Sequence, residues 1–180
     1  MAAGRSPQQI IREEISRTGE LLYQTPQDPA ALASFLPDQL KAWREQWSLG
    51  SRWRISDFIT LGSPLAHAEL FLASNRKEFE NRKRQREVIT SPPQRDTKGY
   101  AYSPPTAIVV GATDNGDGTK TEKRYTPLIL HHAAPFVVTR WTNLYFPVRW
   151  GLWGDLVGGR LGFAFGPGIL DVPVRTTRRL

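Results

Sequence analysis

The chain has 180 residues, of which 39% are hydrophobic and 23% are charged, a composition typical of one globular domain with a sizeable core. It contains no cysteine, which excludes disulfide bonds and metal sites built on thiolates. The formal net charge of +7 suggests an anionic partner, but the basic residues are concentrated from Arg76 to Arg86 and at the C-terminus, apart from the tryptophans that could stack on bases. A nucleic-acid ligand is therefore not expected.

The sequence also lacks the features of a membrane or secreted protein. No apolar run approaches the roughly 20 residues needed to span a bilayer. The first residues, MAAGRSPQQIIREE, lack the apolar core of a secretory signal peptide. We expect no transmembrane segment, and a cytoplasmic location is the default expectation.

Residues 1–53 are predicted to be helical. Apolar residues recur at helical spacing in the first half of this region. Asp28 is suited to cap a second, short helix that stops before Pro37, and Asp38 is suited to cap a third. Gly50 is the expected C-terminal stop of that third helix.

Residues 54–91 predict a strand followed by a charged helix. The β-branched and aromatic run from Ile55 to Leu61 indicates a strand that ends in a tight turn at Gly62 and Ser63. The apolar segment after the turn is expected to continue as one helix to Glu87. The strand is expected to be buried on both faces.

The charged part of this helix, Arg76–Arg86, carries six basic residues. Glu78 precedes Arg82 by four positions, and Glu80 precedes Arg84 by four, an order that favours ion pairs on a solvated helix. A solvated helix face is the simpler interpretation. A surface for an anionic partner is the alternative.

Residues 100–130 are predicted to form an inserted β-hairpin. Two β-rich runs flank the segment DNGDGTKTE, and its Asn-Gly and Asp-Gly pairs are strong turn signals. The same segment resembles the start of a calcium loop, but Asp114, Asn115 and Asp117 do not alternate and no glutamate occupies the twelfth position. A hairpin turn explains these residues without a metal.

Residues 134–174 are predicted to contribute core strands. The near-continuous apolar run from Phe136 to Tyr145 indicates a central strand, a glycine-rich stretch follows, and ILDVPV indicates a short last strand. Strands separated by helical patterns predict an α/β architecture with a mostly parallel sheet.

Three segments, ISDFITLGSPL, RWTNLYFPVRWGLWGDLVGG and GILDVPV, resemble bacterial α/β-hydrolases of the lipase and esterase type, in that family's order. They resemble the strand after the nucleophile helix, the next core strand, and the last strand before the histidine loop. The resemblance implies a partial α/β-hydrolase-like fold. It also implies hydrolysis of a small-molecule or lipid-like ester by acyl transfer through a serine, with no cofactor and no metal.

The resemblance also assigns site residues. Gly62 and Ser63 correspond to the active-site rim, and Asp155 corresponds to the acid of the catalytic triad. Asp171 is the alternative acid, ranked lower because it lies inside a predicted strand. The Ser63 hydroxyl is expected to bond backbone groups in its turn rather than to act as a nucleophile.

Two parts of the triad are missing from the sequence. No G-x-S-x-G nucleophile elbow occurs, and no histidine follows His132. We therefore expect residues 1–180 to be a single incomplete domain. A longer version is expected to carry the elbow upstream and a histidine roughly 10 to 30 residues after Leu180. The alternative is a non-catalytic interaction module that keeps the hydrolase-like core and binds an acidic partner through its basic helix.

The three histidines are not expected to form a metal site. His67 is predicted to be partly buried on an apolar helix. His131 and His132 precede a strand, and a metal site would need three or four converging ligands.

Overall fold

A computed structural model describes residues 6–26, 28–94, 101–102, 108–116, 120–126, 129–147 and 158–175. Over these residues the protein is mixed α/β, with a small parallel sheet and several helices, as the sequence predicts. No helix in the described ranges is long and apolar enough to cross a membrane.

The secondary structure follows the predicted order of helices, strand, helix, hairpin and core strands. The helices are α1 (Pro7–Gln24), α2 (Pro29–Ser48), α3 (Ala68–Leu72), α4 (Arg76–Arg84) and α5 (Gly162–Phe165), with 3₁₀ turns at Pro64–His67 and Ala134–Val137. The strands are β1 (Asp57–Leu61), β2 (Ala101–Tyr102), β3 (Ile108–Asp114), β4 (Lys120–Tyr125), β5 (Ile129–Leu130), β6 (Arg140–Tyr145) and β7 (Ile169–Pro173).

The main sheet has the order β1-β6-β7, and both pairs of neighbours are parallel. Thr60, Asn143 and Asp171 lie side by side in this register, one on each strand. Strands β3 and β4 pair antiparallel, which confirms the predicted hairpin, and β2 pairs antiparallel with β5. The hairpin therefore lies in the connection between two adjacent parallel strands.

The N-terminal region contains two helices rather than the predicted three. Asp28 caps α2 as expected, because its carboxylate accepts a hydrogen bond from the Ala30 amide at 2.9 Å. The prediction of a stop before Pro37 is wrong, since α2 runs through it. Asp38 is not a cap, and its buried carboxylate accepts a hydrogen bond from the Thr18 hydroxyl at 3.2 Å. Tertiary contacts such as this one offset the helical hydrogen bond that the proline removes.

The predicted continuous helix from the Ser63 turn to Glu87 is also wrong. It is divided between α3 and α4, because the Asn75 side chain accepts from the Glu78 amide at 2.9 Å and begins a new helix. Helix α4 ends at Arg84, before the expected end at Glu87. Arg86 then adopts a φ of 63°, and the Glu87 amide donates back to the Arg82 carbonyl, as in a Schellman cap.

Strand β6 begins at Arg140 rather than at Phe136, because Ala134–Val137 forms a 3₁₀ turn. Gln39 of α2 is fully buried beside this turn and donates to the carbonyls of Phe136 and Thr139 at 2.9 and 3.2 Å. In a longer strand, these carbonyls would instead accept hydrogen bonds from the neighbouring strands of the sheet.

Burial distinguishes the central strand from the edge strand. Strand β6 alternates between half-buried and buried residues, as a central strand covered mainly on one face does. The prediction that β1 is buried on both faces is wrong, since Ile59 is 63% exposed and Leu61 is 66% exposed. Strand β1 pairs only with β6 within the described residues, so it is an edge strand.

Two hydrophobic cores flank the sheet. One packs Phe79 of α4, Trp141 of β6 and Phe165 of α5 together on the face that Asn143 shares. The other packs the α1–α2 pair against Val138, at the entrance of β6. The sheet therefore places its polar residues next to the first core.

Candidate active site at the carboxyl edge of the sheet

The carboxyl ends of β1, β6 and β7 meet at one edge of the sheet. The Gly62 amide donates to the Leu144 carbonyl at 3.0 Å, and the Val174 amide donates to the Tyr145 carbonyl at 2.8 Å. In open parallel sheets, ligands bind outside this edge because the loops that follow the strands converge there. Any hydrolase-like chemistry of this chain would therefore be located at this edge.

Ser63 lies at this edge and has a structural role in its turn. Its hydroxyl accepts a hydrogen bond from the Leu65 amide at 3.3 Å and caps the 3₁₀ turn that follows, as the sequence predicts. His67 ends this turn and is exposed, so the prediction that it is partly buried is wrong. The assignment of Gly62 and Ser63 to an active-site rim stays a prediction.

The two candidate acids differ in what the structure describes. Asp155 lies outside the described residues, and its assignment as the triad acid stays a prediction. Asp171 lies on β7, and its carboxylate accepts from Asn143 Nδ2 at 2.7 Å, from the Leu161 amide at 2.9 Å and from the Gly162 amide at 3.0 Å. Both of its oxygens are therefore engaged by the fold rather than directed at a histidine.

A polar ladder, formed by Thr60, Asn143 and Asp171, crosses all three strands of the sheet. The Thr60 hydroxyl donates to Asn143 Oδ1 at 3.0 Å, and Asn143 Nδ2 donates onward to Asp171. The indole of Trp141 donates to the Thr60 hydroxyl at 3.2 Å, and this bond connects the polar ladder to the first hydrophobic core. Asn143 is fully buried, so each bond to its amide satisfies a polar group that would be costly to bury without a hydrogen-bond partner.

The polar ladder holds the chain that follows the glycine-rich stretch. Asn143 also donates to the Gly159 carbonyl at 2.8 Å, while Asp171 accepts from Leu161 and Gly162. Residues 159–162 are thus fixed to the sheet a few positions after Asp155. The segment RWTNLYFPVRWGLWGDLVGG contains Asn143, but only the paired strands reveal what its amide binds.

Arg160 lies in the same segment and contacts the end of β6. Its Nε donates to the Tyr145 hydroxyl at 3.1 Å. This hydrogen bond, together with the charge of Tyr145 when ionised, raises the pKa of Arg160 above its already high ordinary value. The guanidinium is therefore charged at every physiological pH, and sequence reasoning did not single it out.

The histidine pair shows no metal-site geometry. His131 is buried and His132 is exposed, and their ring centroids are 6.4 Å apart. Among the residues that the structure describes, no group of three or more histidine, aspartate or glutamate side chains could hold a metal ion.

The hairpin turn likewise contains ordinary turn hydrogen bonds. The Asp114 carboxylate accepts from the Gly116 amide at 3.0 Å, and the Asn115 amide group donates to the Thr121 hydroxyl at 3.0 Å. Asp117 lies outside the described residues. Asp114 thus forms an Asx turn, and Asn115 links the two sides of the hairpin.

The basic helix neutralises part of its own charge. Arg82 pairs with Glu78 at 2.9 Å, as predicted, but Glu80 pairs with Lys83 at 2.7 Å rather than with Arg84. Lys83 is buried and also donates to the Ala164 carbonyl at 3.2 Å. The anionic-partner surface at Arg76–Arg86 stays a prediction.

Comparison of the chain with protein-family models, with curated proteins and with solved structures gives no match.

Proposed function

We propose that this chain is the acid-bearing, C-terminal portion of a serine α/β-hydrolase-like protein that cleaves small or lipid-like esters by acyl transfer. The observation that carries the proposal is the pairing of β1, β6 and β7. The three segments that resemble the family are neighbouring parallel strands, in chain order, with their carboxyl ends at one edge. The resemblance implies this arrangement, because it assigns the three segments to successive core strands of one sheet.

In this proposal, Asp155 orients and stabilises a catalytic histidine, and the polar ladder holds residues 159–162, which follow Asp155 in the sequence. A triad acid needs a fixed position, because it holds the imidazole in one tautomer and stabilises the charge that forms on it. The hydrogen bonds of Asn143 and Asp171 to residues 159–162 support such a position. The nucleophile and the histidine would come from a longer form of the protein.

The test is hydrolysis of p-nitrophenyl butyrate by the longest protein that the surrounding reading frame encodes. Asp155→Asn is expected to lower kcat about 10⁴-fold, the effect of a wrong histidine tautomer. Asp57→Asn, a matched change on β1, should leave kcat unchanged. The 180-residue chain alone should release no p-nitrophenol above the buffer rate, because it contains no G-x-S-x-G.

Two results would contradict the proposal. One is a reading frame without a serine elbow or a late histidine, which would favour the interaction module. The other is full esterase activity of the Asp155→Asn variant.

A further inference from the structure

A cavity of about 700 Å³ lies between the α1–α2 turn, α4 and β7. Three consecutive residues of β7, Ile169 to Asp171, line it, so it runs along the side of that strand away from β6. Its volume is within the range of cavities that enclose small organic ligands. Leu32, Phe163 and Pro167 add apolar walls, which suit an apolar ligand body.

The carboxylates that line this cavity already have partners. Asp28 caps the Ala30 amide, Glu80 pairs with Lys83, and Asp171 accepts from three donors. Lys83 is engaged as well, through Glu80 and the Ala164 carbonyl. Glu80 and Lys83 therefore offset each other, whereas Asp28 and Asp171 keep their negative charge and are held by amide donors.

Arg160 differs from the other charged residues of the lining. Within the described residues, its Nε donates to the Tyr145 hydroxyl, its two terminal nitrogens make no hydrogen bond, and its charge is attracted by the Asp171 carboxylate. These nitrogens form the planar fork that binds a carboxylate through two parallel hydrogen bonds. The cavity thus combines apolar walls with one guanidinium whose two terminal nitrogens make no hydrogen bond to the described residues.

Tyr23, which also lines the cavity, does not repel an anion. Burial raises the pKa of its hydroxyl, Glu20 raises it further, and a hydrogen bond with Thr90 acts in the opposite direction. The phenol is therefore neutral at physiological pH, and it donates to the Pro92 carbonyl.

We infer that this cavity binds a small carboxylic acid with an apolar body, whose carboxylate pairs with the terminal nitrogens of Arg160. The site goes beyond the proposed hydrolase function and does not depend on it, because binding requires neither a nucleophile nor Asp155. Apolar burial along β7 would provide affinity, and the Arg160 fork would select the carboxylate over uncharged analogues.

The test is a calorimetric titration of the 180-residue chain with octanoate and with octanamide, which has the same chain but no charge. Octanoate should bind at least about 10-fold more tightly, the effect expected for a charge-assisted hydrogen-bond pair. Arg160→Gln should abolish this preference, and Arg160→Lys should reduce it, because lysine keeps the charge but lacks the fork. Arg76→Gln removes an equal charge from an exposed position outside the cavity and should change nothing.

Three outcomes would overturn the inference. Octanamide could bind as tightly as octanoate, or Arg160→Gln could keep the preference while its unfolding midpoint equals that of the original chain. Inorganic phosphate could also displace octanoate at equal concentration, which would indicate a general anion site without a role for the apolar walls. Phe163→Ser, a change at an exposed wall residue, separates these cases because it should weaken octanoate but not phosphate.

Discussion

Replacing Asp171 by asparagine should destabilise the protein far more than the same change at Asp57. Asparagine has almost the same shape as aspartate, but it offers one acceptor oxygen and one donor group in place of two acceptor oxygens. The Asp171 carboxylate accepts from Asn143 and Leu161 on one oxygen and from Gly162 on the other. Either orientation of the asparagine amide therefore places its NH₂ group against at least one donor.

The expected loss of stability follows from the hydrogen bonds that the substitution removes. The more favourable orientation loses only the bond from the Gly162 amide and leaves that donor opposite another donor. A hydrogen bond to a charged group contributes about 1.5–3 kcal/mol, and the two surviving bonds also lose their charge assistance. We expect the free energy of unfolding to fall by about 2–4 kcal/mol, or about 4–16 °C in Tm for a chain of this length.

Urea unfolding followed by tryptophan fluorescence measures this difference, with Asp57→Asn as the matched control. Asp57 pairs with Arg140 at 2.6 Å, but both side chains are partly exposed, and such pairs contribute about 0–1 kcal/mol. Equal losses for the two variants, within about 0.5 kcal/mol, would refute the claim that the polar ladder stabilises the sheet. An amide spectrum in which the Gly162 resonance is unchanged by Asp171→Asn would refute it independently.

Two further predictions concern the packing around Pro92. Gly168→Ala should lower the free energy of unfolding by about 1–3 kcal/mol, because the new Cβ would lie 2.8 Å from the backbone of Ser91 and Pro92. Gly111→Ala is the control, since a Cβ there meets open space, and it should be neutral or slightly stabilising in the same urea titration. For Tyr23, the raised pKa means that the folded state keeps the phenolic proton to higher pH than the unfolded state does, so this contribution to stability is lost as the pH rises above about 10. Tyr23→Phe should remove that part of the alkaline loss, and parallel stability curves for the two proteins between pH 9 and 11 would contradict the assignment.

Local features of the fold could be predicted because their causes lie within a few residues. The Asp28 cap depends on an amide two positions away, and Gly50 ends α2 because its φ of 84° suits a residue without a side chain. The β3–β4 hairpin follows from its turn residues, and the parallel sheet follows from strands separated by helical segments.

The remaining features depend on contacts between residues that are distant in sequence. Helix α2 continues through Pro37 although local rules predict a stop, and contacts such as that between Asp38 and Thr18, 20 positions away, help to hold it. Strand β6 starts late where the buried side chain of Gln39, about 100 residues earlier, takes two of the preceding carbonyls. Local propensity contains no information about such partners.

The candidate site likewise has some features that the sequence predicts and others that depend on tertiary contacts. The sequence by itself determined the order of the three strand segments, the Ser63 turn and the absence of a serine elbow, because each is a local pattern or a composition. Only the tertiary structure decided that Asp171 binds Asn143, 28 positions earlier, and that Arg160 lines a cavity along β7. A polar side chain in a strand can face water, a neighbouring strand or a loop, and its hydrogen-bond partner is defined only when the sheet is assembled.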